Sequence, residues 1–179
     1  MVIFIAASET IQNYSNFGSS VCGLDATFTI TQYSFALFAI MGRHRGGAIP
    51  LAYFLTSSKS MNAVKRGLEM FRDEIGGPPP QAFCIDKDIA ELKAIRQVFP
   101  EATIILCHFH FMMIVYSELR ALRHALSAEQ IKQCTRTIRL LCSSTTIPLF
   151  KERLTLLQQQ SPSFFQYFME NFLNDYWID

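Results

Sequence analysis

Between Ser20 and Thr56 three runs, VCGLDATFTI, YSFALFAIMG and GAIPLAYFLT, are dense in β-branched and aromatic residues and predict strands. The second and third are separated by RHRGG, whose glycines supply the positive φ of a tight hairpin, so these strands should be antiparallel neighbours. Pro50 has no amide to give to a ladder and predicts an edge position for the third run. The opening MVIFIAAS alternates as a strand does and lacks the basic flank and apolar length of a signal peptide. After Ser60, a predicted N-cap, Met61, Val64, Leu68, Phe71 and Ile75 recur at three and four residues and predict a helix that stops at Gly76-Gly77 and three prolines. QAFCID reads as a buried strand. Asp88 with Glu91 three residues on resembles a capping box for a helix with Leu92, Ile95 and Phe99 inward, ended by Pro100. ATIILCHFH reads as the next strand.

Beyond His110 the period changes from two to about three and a half, so the remainder is predicted to be helical. Ser127 with Gln130 caps one helix, Pro148 and Pro162 suit the first turns of two more, and the last places Phe165, Phe168, Phe172 and Tyr176 on one side. The order is three antiparallel strands, then helix, strand, helix, strand, then helices. That order predicts an α/β, ribonuclease H-like mixed sheet followed by an all-helical region. A doubly wound nucleotide-binding fold would alternate from the start and carry a glycine-rich turn after its first strand, and this chain has none.

Composition adds limits. Half of the 179 residues are apolar, 16 are Phe and only 17% are charged, a thin inventory for a surface, so a partner or further chain is expected to cover apolar patches. A net charge of +1 offers no basic field for nucleic acid. Five widely spaced cysteines suit reduced thiols and an intracellular setting. The longest apolar stretch, residues 102–116, falls short of the roughly 20 residues of a membrane helix.

Carboxylates carry the candidate chemistry. Asp25 in GLDATF lies among residues that belong inside a sheet, and is either a metal ligand or a group satisfied by backbone amides at a strand end. In CIDKD, Asp88 is the natural cap, which leaves Asp86 without that role. In the predicted fold the strands bearing Asp25 and Asp86 are neighbours, so the two face each other at the carboxyl edge. Two close carboxylates repel unless a cation lies between them, and Mg²⁺ or Mn²⁺ suits hard oxygen ligands. Cys107 and His110 form a C-x-x-H spacing, half of a zinc site at most, which core packing explains as well. Pairing them requires a turn at 107–110, because an extended segment puts 107 and 110 on opposite faces. His44 and His124, beside arginines, are read as solvated. No G-x-S-x-G, H-E-x-x-H, P-loop or dinucleotide fingerprint occurs.

Together, NFGSSVCGLDATFTITQYSFALFAIMGRHRGGAIPLAYFLTSS and FCIDKDIAELKAIRQVFPEATIILCHFH resemble the transposase domain of Mutator-like elements over roughly residues 14–115. The resemblance rests on the aspartate-small-Thr-Phe of the first strand, the aspartate after the fourth, the Ala-Ile-x-x-Val-Phe-Pro helix end and the C-x-x-H. It implies a ribonuclease H-like DDE enzyme that moves DNA with Mg²⁺ or Mn²⁺ in the nucleus, with DNA and a second copy of itself as partners and no membrane. Asp25 then matches the first catalytic aspartate, Asp86 the second, and Cys107 and His110 the C-x-x-H pair. It divides the chain into a core at 1–115 and a helical insertion at 116–179. The family's glutamate lies in a Thr-Asn-x-x-x-Glu segment after that insertion, and Glu118, Glu129, Glu152 and Glu170 do not match it. The chain is therefore expected to be a piece of a transposase with little strand transfer of its own. Two other expectations stand beside it: a domesticated DNA- or protein-binding regulator without catalysis, and an interaction domain built on zinc at Cys107 and His110.

Overall fold

The computed structural model describes residues 1–6, 14, 20–28, 35–44 and 46–173. Six strands are present: β1 (Val2–Ala6), β2 (Val21–Phe28), β3 (Ala36–His44), β4 (Gly47–Thr56), β5 (Ala82–Ile85) and β6 (Thr103–Leu106). The helices are α1 (Met61–Glu74), α2 (Ile89–Val98), α3 (His108–Leu119), α4 (Ala128–Cys142), α5 (Ile147–Gln160) and α6 (Pro162–Phe172). The chain divides into two compact units, Met1–Phe111 and Met112–Asp179, with α3 running across the division.

In the first unit the strands form one mixed sheet in the order β1-β4-β3-β2-β5-β6. β1 through β4 pair antiparallel, while β2, β5 and β6 run parallel, each return covered by a helix. The RHRGG hairpin forms with His44 opposite Gly47, and Gly46 takes a φ of +85° that a Cβ would strain. The edge position predicted from Pro50 is not found: β1 pairs outside β4. The proline is accommodated because β1 covers only Ala52–Thr56, and because the register shifts between Ile40 and Met41, so that Met41 lies opposite Pro50.

Alternation decides which face of the sheet is buried. Cys22, Leu24, Phe38, Ile40, Phe54, Phe83 and Ile85 point to one side and are fully buried or nearly so. They meet Val64, Leu68 and Phe71 of α1 and Leu92 and Ile95 of α2, the stripes that the spacing predicts. Phe83 and Phe99 rings lie 5.1 Å apart, and Phe38 stacks on Phe54 at 4.8 Å. On the other side Ile3, Ile5, Val21 and Ile105 are exposed.

The second unit is helical. Ser127 and Gln130 form the predicted capping box on α4, and Ser161 ends α5 while capping α6 ahead of Pro162. The buried stripe of α6 is Phe164, Phe168 and Phe172; Phe165, expected in it, is only half-buried, and Tyr176 lies outside the described residues. Spacings of four hold one face, and Phe164 rather than Phe165 is in step with Phe168 and Phe172. His124 is buried instead of solvated. Its Nε2 lies 2.6 Å from Glu118 Oε1 and its Nδ1 3.0 Å from Ser163 Oγ, with the ring edge-on to Phe164. The side chain of His44 lies outside what is described.

Candidate functional site

Parallel pairing of β2 with β5 sets Val21, Cys22 and Gly23 opposite Ala82, Phe83 and Cys84. Continuing that register by two residues brings Asp25 level with Asp86, which follows the last residue of β5. The two aspartates thus stand level at the carboxyl edge of the parallel strands, where open α/β sheets bind ligands. Asp25 itself does not end a strand, since β2 runs on to Phe28 against β3. It alternates with the buried Leu24 and rises exposed from the opposite face, so no burial penalty has to be met.

Past β6 the chain stays fastened to this edge. Cys107 N–H donates to Ile85 C=O at 2.7 Å, and Phe111 N–H donates to Cys107 C=O at 2.9 Å, opening α3. The strand expected over ATIILCHFH therefore ends at Leu106, and the C-x-x-H lies on a helical first turn. Positions 107 and 110 share a face there, which is the turn that their pairing required. The Cys107 sulfur, a His110 ring nitrogen and an Asp86 carboxylate oxygen all lie within 4.8 Å of one another. His110 Nδ1 and Asp86 Oδ1 are in direct contact, yet the approach lacks hydrogen-bonding geometry and Nδ1 is buried without a hydrogen-bond partner.

Charge at this edge is acidic. Asp88 is the α2 cap, accepting from the N–H groups of Ala90 at 2.7 Å and Glu91 at 3.1 Å. Asp88→Ala should cost about 1 kcal/mol in urea denaturation, and a loss well below that would mean that the cap is replaced by water. The Asp86 carboxyl is pushed up, chiefly by partial burial and further by Asp25 and Asp88, while His110 pulls it down. Cys84 is pushed up to about 11, first by burial and then by the neighbouring Cys107 thiol.

Sequence reasoning missed Glu91. The sequence predicts it as the return arm of a capping box, but it is 4% exposed and its Oε2 is buried with no hydrogen-bond partner. Burial, then Asp88, Asp86 and Asp25, push its carboxyl up to about 8. The available signal was its position: a third residue after the cap on a helix whose Leu92 and Ile95 face inward sits at the border of the buried stripe. Glu118 in the second unit is already engaged. Its burial is outweighed by hydrogen bonds from Arg123 and His124, which hold its carboxyl below the usual range.

The arrangement defines an α/β protein with two aspartates and a C-x-x-H group gathered at one sheet edge, a donor set suited to divalent metal. The family model of the MULE transposase domain matches residues 21–114, which is 94 of the 179 residues and contains Asp25, Asp86, Cys107 and His110. The chain belongs to the MULE transposase family. Among curated proteins none matches it. No helix among the described residues is long and apolar enough to cross a membrane.

Proposed function

We propose that this chain carries the metal-binding core of a Mutator-like DDE transposase, with Asp25 and Asp86 as its first two catalytic carboxylates. The observation that carries the reading is the β2–β5 register, which brings these aspartates level at the carboxyl edge. The strand order β4-β3-β2-β5-β6, antiparallel first and then crossed over by α1 and α2, supports a ribonuclease H-like fold. The donor chemistry fits Mg²⁺ or Mn²⁺: Asp25 is exposed, the Asp86 side chain is about a third exposed, and each raises the cost of ionising its neighbours.

When bound between such carboxylates, divalent metal supplies positive charge to the attacking and leaving oxygens of a phosphodiester. Asp25 and Asp86 would hold that charge at the rim of the sheet, with His110 lying against the Asp86 carboxylate from the first turn of α3. Asp88 is occupied as a cap. None of the glutamates of the second unit matches the family's third carboxylate, so the 179-residue chain is proposed to bind metal and to cleave DNA poorly, with DNA ends and a nuclear setting belonging to the transposase reading.

Mn²⁺ binding followed by electron paramagnetic resonance tests this. Asp25→Asn and Asp86→Asn should each weaken binding by about tenfold or more, or roughly 1.4 kcal/mol, with circular dichroism unchanged. Equal binding by wild type and both variants would sink the assignment. Nicking of element-end DNA with Mg²⁺ or Mn²⁺ is expected to be weak, and robust cleavage that Asp25→Ala abolishes would show that the two aspartates suffice.

A further inference from the structure

We propose that Asp86, Cys107 and His110 form a second, softer metal site, selective for Zn²⁺ or a similar borderline divalent ion, and that filling it withdraws Asp86 from Asp25. The withdrawal rests on the function proposed above; the site itself does not.

Three donors of three kinds converge there, with all ligand atoms within 4.8 Å of one another. They come from separate places in the chain: the end of β5, the residue after β6, and the first turn of α3. A structural ion pair between Asp86 and His110 would account for two of them, but an ion pair of that kind normally satisfies the ring nitrogen. Here Nδ1 is buried, touches the carboxylate and has no hydrogen-bond partner. Nor does an ion pair explain the sulfur. Cys107 is anchored next to Asp86 by its own N–H to Ile85 C=O, so its backbone is held at this edge by the sheet.

Ligand type sets the metal. Mg²⁺ requires near-octahedral oxygen and keeps its waters, so a thiolate and an imidazole serve it poorly. Zn²⁺ takes Cys, His and carboxylate together in a tetrahedron, and three protein ligands leave its fourth position to water or substrate. Asp86 is then shared between two sites of different hardness: with Asp25 it suits a hard ion, and with Cys107 and His110 a softer one. Both cannot have it on the same terms. Trace Zn²⁺ should therefore weaken Mn²⁺ binding to the hard pair.

Co²⁺ is the probe, added to the reduced, metal-free 179-residue chain. A thiolate-to-cobalt charge-transfer band with intense four-coordinate d–d bands is expected, bleached by stoichiometric Zn²⁺ and indifferent to a large excess of Mg²⁺. Cys107→Ser should abolish the charge-transfer band, while His110→Ala and Asp86→Asn should each weaken Co²⁺ binding by at least the roughly 10–100-fold that loss of an outer partner costs. Asp25→Asn should leave the band in place while losing Mn²⁺. Circular dichroism checks that each variant is folded. A folded wild type without the band, or a band that survives Cys107→Ser, overturns the soft site. An intact band in a chain that binds no Mn²⁺ overturns only the hard pair, and Zn²⁺ that leaves Mn²⁺ binding unchanged overturns the withdrawal.

Discussion

Without metal at pH 8, Glu91→Leu should unfold at higher urea than the wild type, and the wild type should lose stability steadily from pH 5.5 to pH 8. Glu91 is buried, and burial with three neighbouring carboxylates lifts its carboxyl from 4.5 to about 8. Below the unfolded value both states hold the proton and the group adds no pH dependence. Between the two values the unfolded chain releases the proton and the folded chain keeps it, so folding takes up a proton and stability falls as pH rises. A single group contributes at most roughly 1.4 kcal/mol per pH unit across that window, and the fall levels off above the folded value. Asp86 is also raised and adds in the same direction, but its side chain is about a third exposed and solvent screens its share. Leucine removes the ionisation and leaves no polar atom unsatisfied, so most of the slope should vanish. Glu91→Gln, which keeps the shape, should flatten the slope with less gain. The midpoint of urea unfolding in EDTA at both pH values is the measurement. A wild-type midpoint that holds constant or rises over this window would contradict the inward carboxyl.

That residue marks a boundary in what the sequence discloses. Local rules carried far: RHRGG makes the hairpin, Ser60 and Asp88 cap their helices, and the stripe from Val64 to Phe71 lies in the core. The side-by-side placement of Asp25 and Asp86 also followed, because strand order and a right-handed crossover fix which strands are neighbours. Pairing beyond the hairpin was less legible. Alternation in MVIFIA fixes the faces of β1 but not its partner, and Pro50 pointed to an edge that β1 in fact occupies. Side-chain direction at stripe borders was the least legible. Glu91 turns inward, His124 is drawn in by Glu118 and Ser163, and Phe164 takes the place expected of Phe165, each decided by tertiary neighbours. At Cys107 the sequence predicts a strand running on to His110, whereas the strand ends at Leu106 and the backbone bond to Ile85 with the start of α3 makes a turn there.

The contact between α1 and β4 should show opposite signs for one substitution in two backgrounds. Phe54 is fully buried, stacked on Phe38, and Gly67 of α1 packs directly against its ring. A Cβ added at Gly67 would lie 2.4 Å from Phe54 Cδ2, closer than any real contact, so the helix or the ring must move. Overpacking of this kind costs about 1–3 kcal/mol, and the helix preference for alanine over glycine returns only about 1 kcal/mol, so Gly67→Ala is expected to be net destabilising. Phe54→Ala should cost about 3–5 kcal/mol through lost burial and the cavity left under the helix. In that background the obstruction is gone: the methyl of Gly67→Ala enters the space that the ring vacated, and the helix propensity is regained. The second substitution should then stabilise by about 1 kcal/mol, giving a coupling energy of about 1–3 kcal/mol in a double-mutant cycle. Additive effects would mean that α1 slides away from the ring at little cost, and that small size at Gly67 is not what seats the helix on the sheet that carries Asp25 and Asp86.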